Sequence, residues 1–195
     1  MTTTTHQSVP ALLARNAQQY GDQAAFREKE FGIWQSWTWS EVHQHVTDFA
    51  LGLASYGLGE GDHLAIVGTN RPQLYWAMTA TQCTGAVPVP LYQDAVADEM
   101  AYVLEHCGAK IVVAEDQEQV DKVIGLIDQL PNLERIIFLD PRGLRKYDRT
   151  ALHSYEDVSA IGKAASEGDR KAMQSTVDGL TLDHTCVMLY TSGTT

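Results

Sequence analysis

Residues 96–114, VADEMAYVLEHCGAKIVVA, decide the fold class. Val96, Met100, Val103, Leu104 and Cys107 recur at three- and four-residue steps, which is the spacing of one face of an α-helix. Gly108 follows the last of them and offers the stop. Residues 111–114 are then a short unbroken apolar run, as expected of a strand covered on both faces. The alternation continues on either side. Apolar runs at 64–67, 87–91, 111–114 and 136–139 start 23, 24 and 25 residues apart. A second helical pattern, Val120, Val123, Ile124, Ile127 and Leu130, ends before Pro131. Short hydrophobic strands separated by single helices are the mark of βαβ units around a buried parallel sheet. The fold class is α/β, a mostly parallel sheet with flanking helices. Pro88 and Pro90 cannot donate to a ladder, so the second strand should be short or lie at an edge.

Upstream, residues 10–20 read as a short helix with Leu12 and Leu13 inward. Residues 24–26 and 33–39 flank a polar stretch ending in Gly32, which predicts a β-hairpin with a longer turn. Thr38-Trp39-Ser40-Glu41 has the form of a capping box. Val42, Val46, Phe49, Ala50 and Leu53 follow at helical spacing, with Gly57 as the stop. Residues 24–57 therefore form a hairpin-and-helix unit, and 61–195 the sheet portion. Residues 140–183 break the rhythm, with short helices expected near 154–165 and 169–177.

The last apolar run, 186–190, reads as a strand delivering Thr191-Ser192-Gly193-Thr194-Thr195 to the sheet's C-terminal edge. No helix follows to cover the sheet, which predicts a fragment of a longer protein. Glycine lets backbone N–H groups turn inward as a nest, and hydroxyls add neutral donors, so this loop suits phosphate. On composition alone an ordinary turn accounts for it more readily. It is not a Walker A loop, because Gly-x-x-x-x-Gly-Lys is absent from the sequence.

Composition narrows the partners. Fourteen Lys and Arg against 25 Asp and Glu give a net charge of −11, which disfavours a phosphate-driven grip on nucleic acid and attraction to anionic lipid. A local cluster of donors can still hold a small anion. Cys83, Cys107 and Cys186 fit neither a metal spacing nor a disulfide framework, so a cytoplasmic location is expected. Residues 1–10 are Thr-rich without the apolar centre of a secretory signal. No apolar run approaches the ~18 residues of a membrane span; peripheral membrane contact and oligomeric state stay open.

Tyr190-Thr191-Ser192-Gly193-Thr194-Thr195 resembles the start of the phosphate loop of the AMP-forming acyl-CoA synthetase, luciferase and adenylation-domain superfamily, where Gly-x-Pro-Lys follows. Thr38-Trp39-Ser40-Glu41-Val42, Gly61-Asp62-His63-Leu64-Ala65-Ile66, Asn70-Arg71-Pro72, residues 85–92 and Glu105-His106-Cys107-Gly108-Ala109-Lys110 fall in the family's order and approximate spacing. The 89–92 and 140–144 stretches are most similar to bacterial long-chain fatty acid–CoA ligases. The resemblance implies the first part of the large N-terminal domain of an adenylate-forming enzyme, with residues 1–195 an incomplete domain. It implies a reaction in which a carboxylate attacks the ATP α-phosphate, releasing pyrophosphate, and the CoA thiol then displaces AMP. ATP, Mg²⁺ and CoA are the implied cofactors. Thr191, Ser192, Gly193, Thr194 and Thr195 are the implied phosphate contacts, and Thr191 the Mg²⁺ ligand through its hydroxyl. No catalytic residue is expected within the chain, which should be inactive alone, since the catalytic lysine and acyl pocket come later in the family. An aryl, branched-chain or amino acid substrate is the nearest rival. A noncatalytic, flavodoxin-like α/β binding module is the rival from another class.

The remaining candidates have plainer readings. His43 and His45, two apart on a helix, cannot share a metal and are expected in solvent. Cys107 reads as a small buried hydrophobe, Asp62 as a turn residue, and Tyr190 as packing at the strand end. Trp34, Trp37, Trp39 and Trp76 are assigned to hairpin and helix packing. Glu115, Asp116 and Glu118 are assigned to a helix start.

Overall fold

The computed structural model describes residues 8–191. Helix α1 (Val9–Tyr20) is capped by Ser8, whose hydroxyl accepts from the Ala11 N–H. Strands β1 (Ala24–Glu30) and β2 (Ile33–Thr38) form the antiparallel hairpin. Its turn is tighter than the polar stretch suggested. Only Phe31 and Gly32 connect the strands, both at positive φ (46° and 82°), which is the backbone of a two-residue hairpin turn. The charges of Arg27–Glu30 suggest a turn, yet these residues pair as strand with their side chains largely in solvent.

Helix α2 (Trp39–Ser55) starts at the expected capping box. The Thr38 hydroxyl accepts from the Glu41 N–H, and the Glu41 carboxylate accepts from the Thr38 N–H at 2.8 Å. Val42, Val46, Phe49, Ala50 and Leu53 are all buried, as their spacing requires.

Five parallel strands follow: β3 (His63–Val67), β4 (Val87–Leu91), β5 (Ile111–Ala114), β6 (Arg135–Phe138) and β7 (Leu152–Ser154), in the spatial order β4-β3-β5-β6-β7. β4 is an edge, as its prolines demand. Strand alternation sorts the core into two layers. Leu64, Ile66, Ile111, Val113 and Ile137 pack with α1, α2, α3 (Pro72–Cys83), α6 (Tyr155–Lys163) and α7 (Glu167–Gly179). Ala65, Val67, Val112, Ala114, Ile136 and Phe138 pack with α4 (Ala97–Cys107) and α5 (Gln117–Ile124). Every residue of β5 is fully buried, because both faces are covered. Gly108 ends α4 at φ 63°, the expected stop.

Two elements depart from the sequence reading. β7 extends the sheet inside the polar excursion, and at three residues it is too short for period-2 patterning to register. Residues 186–190 are not a strand. They run along the outer edge of β4 with one backbone bond, Met188 N–H to the Pro88 carbonyl at 3.1 Å. The Pro88 carbonyl faces this edge, so Pro88 and the equivalent Pro90 are the residues turned outward, and neither has an N–H to continue a ladder.

Candidate functional site

In open parallel sheets, ligands gather at the carboxyl ends of strands, above all where successive strands diverge to opposite sides. Here β4 lies on one side of β3 and β5 on the other, so that point falls between β3 and β5. The chain leaves β3 through Gly68, where an added Cβ would lie 2.6 Å from the Glu115 Cβ and 2.7 Å from a Leu74 methyl. Only a residue without a side chain lets Glu115 approach this closely. The Glu115 carboxylate accepts from the Thr69 N–H, from the Thr69 hydroxyl at 2.8 Å and from Arg71 Nε at 2.8 Å. Arg71 also bridges to Glu28 on the hairpin at 2.9 Å. Burial pushes the Glu115 carboxyl up, but hydrogen bonds from Arg71 and Thr69 outweigh it and hold it below its usual range. Glu115 and Arg71 line one wall of an open cleft of about 380 Å³, together with Glu28, Leu139 and Asp140.

The second region is the β4 edge. With strand pairing limited to one bond, residues 186–191 are held by side chains. Gln82 Nε2 donates to the Cys186 carbonyl at 2.6 Å. Met188 and Tyr190 pack on the core layer beneath α4. The Tyr190 hydroxyl lies 2.6 Å from His106 Nδ1, and the His106 ring stacks on Tyr102 at 5.6 Å between centroids. Burial raises the Tyr190 phenol above its usual value, so it stays neutral at neutral pH. Thr191 emerges next, exposed, in a cleft of about 610 Å³ shared with Leu91, Tyr92, Asp98, Glu99 and Tyr102. Of the five expected phosphate contacts, Thr191 is thus at the C-terminal side of the β4 edge. Ser192, Gly193, Thr194 and Thr195 lie outside the described residues. Among the described residues the cleft lining has two carboxylates and no Lys or Arg, so charge alone gives it no pull on a phosphate.

The sequence profile of a family described as AMP-binding enzyme matches residues 13–195. The chain belongs to that family. Among relatives, the chain is 27% identical over 188 residues to the long-chain-fatty-acid–CoA ligase ACSBG2 of Xenopus laevis, covering 96% of this chain and 25% of that one. It is 28% identical over 192 residues to the long-chain-fatty-acid–CoA ligase FadD15 of Mycobacterium bovis, covering 97% of this chain and 30% of that one. The chain therefore spans between a quarter and a third of the length of these relatives. The coronafacic acid ligase of Pectobacterium brasiliense superposes with a TM-score of 0.77 at 18% identity, over 94% of this chain and 33% of that one. The fold is that of the N-terminal domain of adenylate-forming enzymes.

Other side chains partly meet expectation. Among the described residues, no group of three or more His, Cys, Asp and Glu is arranged to hold a metal. His45 is exposed as expected, while His43 is not. His43 is half-buried, with burial pulling its imidazole pKa down, and His45 stacks on Trp76 at 4.7 Å. Cys107 is buried, and Asp62 accepts from the Gly59 N–H as a turn residue does. Trp76 is core, and Trp37 and Trp39 pack against it, but Trp34 is 64% exposed near the hairpin tip. Asp116 caps α5 and Glu118 lies in its first turn, whereas Glu115 turns away to Arg71. Sequence reading missed that link because 44 residues separate the partners; Asn70-Arg71-Pro72 was its one visible trace. No helix among the described residues is long and apolar enough to cross a membrane.

Proposed function

We propose that this chain is part of an ATP-dependent ligase that activates a long-chain fatty acid and passes it to CoA. The carboxylate oxygen bonds to the α-phosphorus as pyrophosphate leaves. The CoA thiol then bonds to the acyl carbon, giving up its proton, as AMP leaves. The observation that carries this reading is the family match running over residues 13–195, through Tyr190 and the whole Thr191-Ser192-Gly193-Thr194-Thr195 stretch. Relatives named long-chain-fatty-acid–CoA ligases, in vertebrates and mycobacteria, align over nearly all of this chain.

In this reading residues 191–195 hold the β- and γ-phosphates and steady the departing pyrophosphate through backbone N–H groups and hydroxyls. Thr191 fits that role as an exposed hydroxyl at the edge of an open cleft. Its hydroxyl is also the proposed Mg²⁺ ligand. The metal would neutralise charge on the triphosphate, which the carboxylate-bearing lining does not do. Catalysis is then mainly positioning and charge stabilisation, since the substrate brings its own nucleophile. A cytoplasmic, reducing setting suits the buried thiols of Cys83 and Cys107.

The test uses the full-length protein carrying this chain. Incubated with ATP, Mg²⁺, CoA and a panel of acids, it should release AMP and acyl-CoA in equal amounts, fastest with long-chain fatty acids. AMP release with aryl or amino acids and none with fatty acids would overturn the substrate assignment. ADP in place of AMP would overturn the reaction.

A further inference from the structure

The structure assigns His106 as a positioning residue. By holding the Tyr190 hydroxyl it fixes the point where the chain enters the 191–195 loop, and with it the loop's hold on ATP. This rests on the ligase reading above and adds to it a residue with no place in the loop itself.

The argument starts from what the β4 edge lacks. A loop that grips phosphate needs its entry point fixed to well within an ångström, because donors must meet the oxygens at hydrogen-bond distance. Strand pairing would normally supply that precision, but Pro88 and Pro90 remove the outward N–H groups, leaving one backbone bond, at Met188. Among the described residues, side chains from two helices also hold 186–191. Gln82 of α3 holds the near end at Cys186, four residues short of Tyr190. His106 of α4 holds Tyr190, the residue directly before Thr191, at 2.6 Å. α4 is a firm mounting: Met100, Leu104 and Cys107 bury its inner face against the sheet. The His106 ring is steadied by Tyr102 on one side and meets Tyr190 edge-on at 5.7 Å. The exposed hydroxyl–imidazole contact adds little to folding, so its removal should act on the loop before it acts on stability.

The experiment measures acid-dependent exchange of labelled pyrophosphate into ATP by the full-length protein. His106→Leu and Tyr190→Phe should each raise KM for ATP about fivefold, the net worth of one hydrogen bond. kcat should change less than about twofold, and Tm should stay within about 2 °C of wild type. The double variant should be no worse than either single variant. His106→Asn, whose amide stands where Nδ1 stands, should recover KM to within about twofold. Should His106→Leu fail to fold, Tyr190→Phe removes one oxygen and carries the test alone. Unchanged KM in Tyr190→Phe, additive losses in the double variant, or a fall in Tm matching the fall in activity would each overturn the assignment. An active wild type with unaffected variants defeats only the role of His106. A wild type inactive with every acid defeats the ligase reading and the assignment with it.

Discussion

Replacing Glu115 by Gln keeps the shape of the side chain and removes its charge, at the point where β3 and β5 diverge. The carboxylate takes three hydrogen bonds, two from Thr69 and one from Arg71. A Gln oxygen can keep the Thr69 donors, but its NH₂ then faces Arg71, donor against donor. One charge-assisted bond is lost, worth about 1.5–3 kcal/mol when shielded. The Arg71 side chain is 43% exposed, so screening favours the lower half, about 2 kcal/mol. For a chain of this size that lowers Tm by about 4–8 °C. The pH dependence gives the sign check. Glu115 has a folded pKa below its ordinary value of 4.5, so its contribution is complete above that value. It is lost as pH falls through the lowered native value. Urea unfolding of wild type and Glu115→Gln should therefore differ by about 2 kcal/mol at pH 7 and converge as pH falls through that lowered value. A difference under about 0.5 kcal/mol at pH 7 would refute the reasoning. So would a deficit that persists undiminished in acid.

Four further outcomes follow from packing, thiol exposure and the loop. Gly162→Ala in α6 would place a methyl 1.7 Å from the Asp48 carbonyl of α2; overpacking should cost at least about 2 kcal/mol, despite the better helix propensity of Ala. Gly179→Ala, with nothing within 4 Å of the new Cβ, should be neutral or slightly stabilising in the same denaturation assay. A maleimide at pH 8 should label exposed Cys186 rapidly, while Cys83, its thiol pushed up to about 12 by burial, and buried Cys107 react only after unfolding. Thr194→Val in the full-length protein should slow adenylation by roughly tenfold to a hundredfold with Tm little changed; equal losses of both would mark the loop as a structural turn.

The parts of this fold that were legible in sequence are those whose burial is simple. β5 is covered on both faces, so its four apolar residues stand out, and α4 shows a single inward stripe closed by Gly108. α3 shows no clear stripe because it is buried on several sides, by the sheet, α1 and α2, with Tyr75 left exposed. Residues 186–190 are apolar enough for a strand, and what stops them is the chemistry of a partner a hundred positions earlier, Pro88 and Pro90. Glu115 reads as a cap because its neighbour Asp116 is one. The loop motif itself was visible, but the His106–Tyr190 contact that leads into it joins residues 84 apart and leaves no local pattern.

The central claim, that residues 191–195 hold the triphosphate while a carboxylate attacks it, has one direct measurement. Labelled pyrophosphate is supplied to the full-length protein with ATP and Mg²⁺, with and without a long-chain fatty acid, and no CoA. The account predicts label entering ATP only when the acid is present. Label entering ATP without any acid, or failing to enter in the presence of every acid tried, would contradict it.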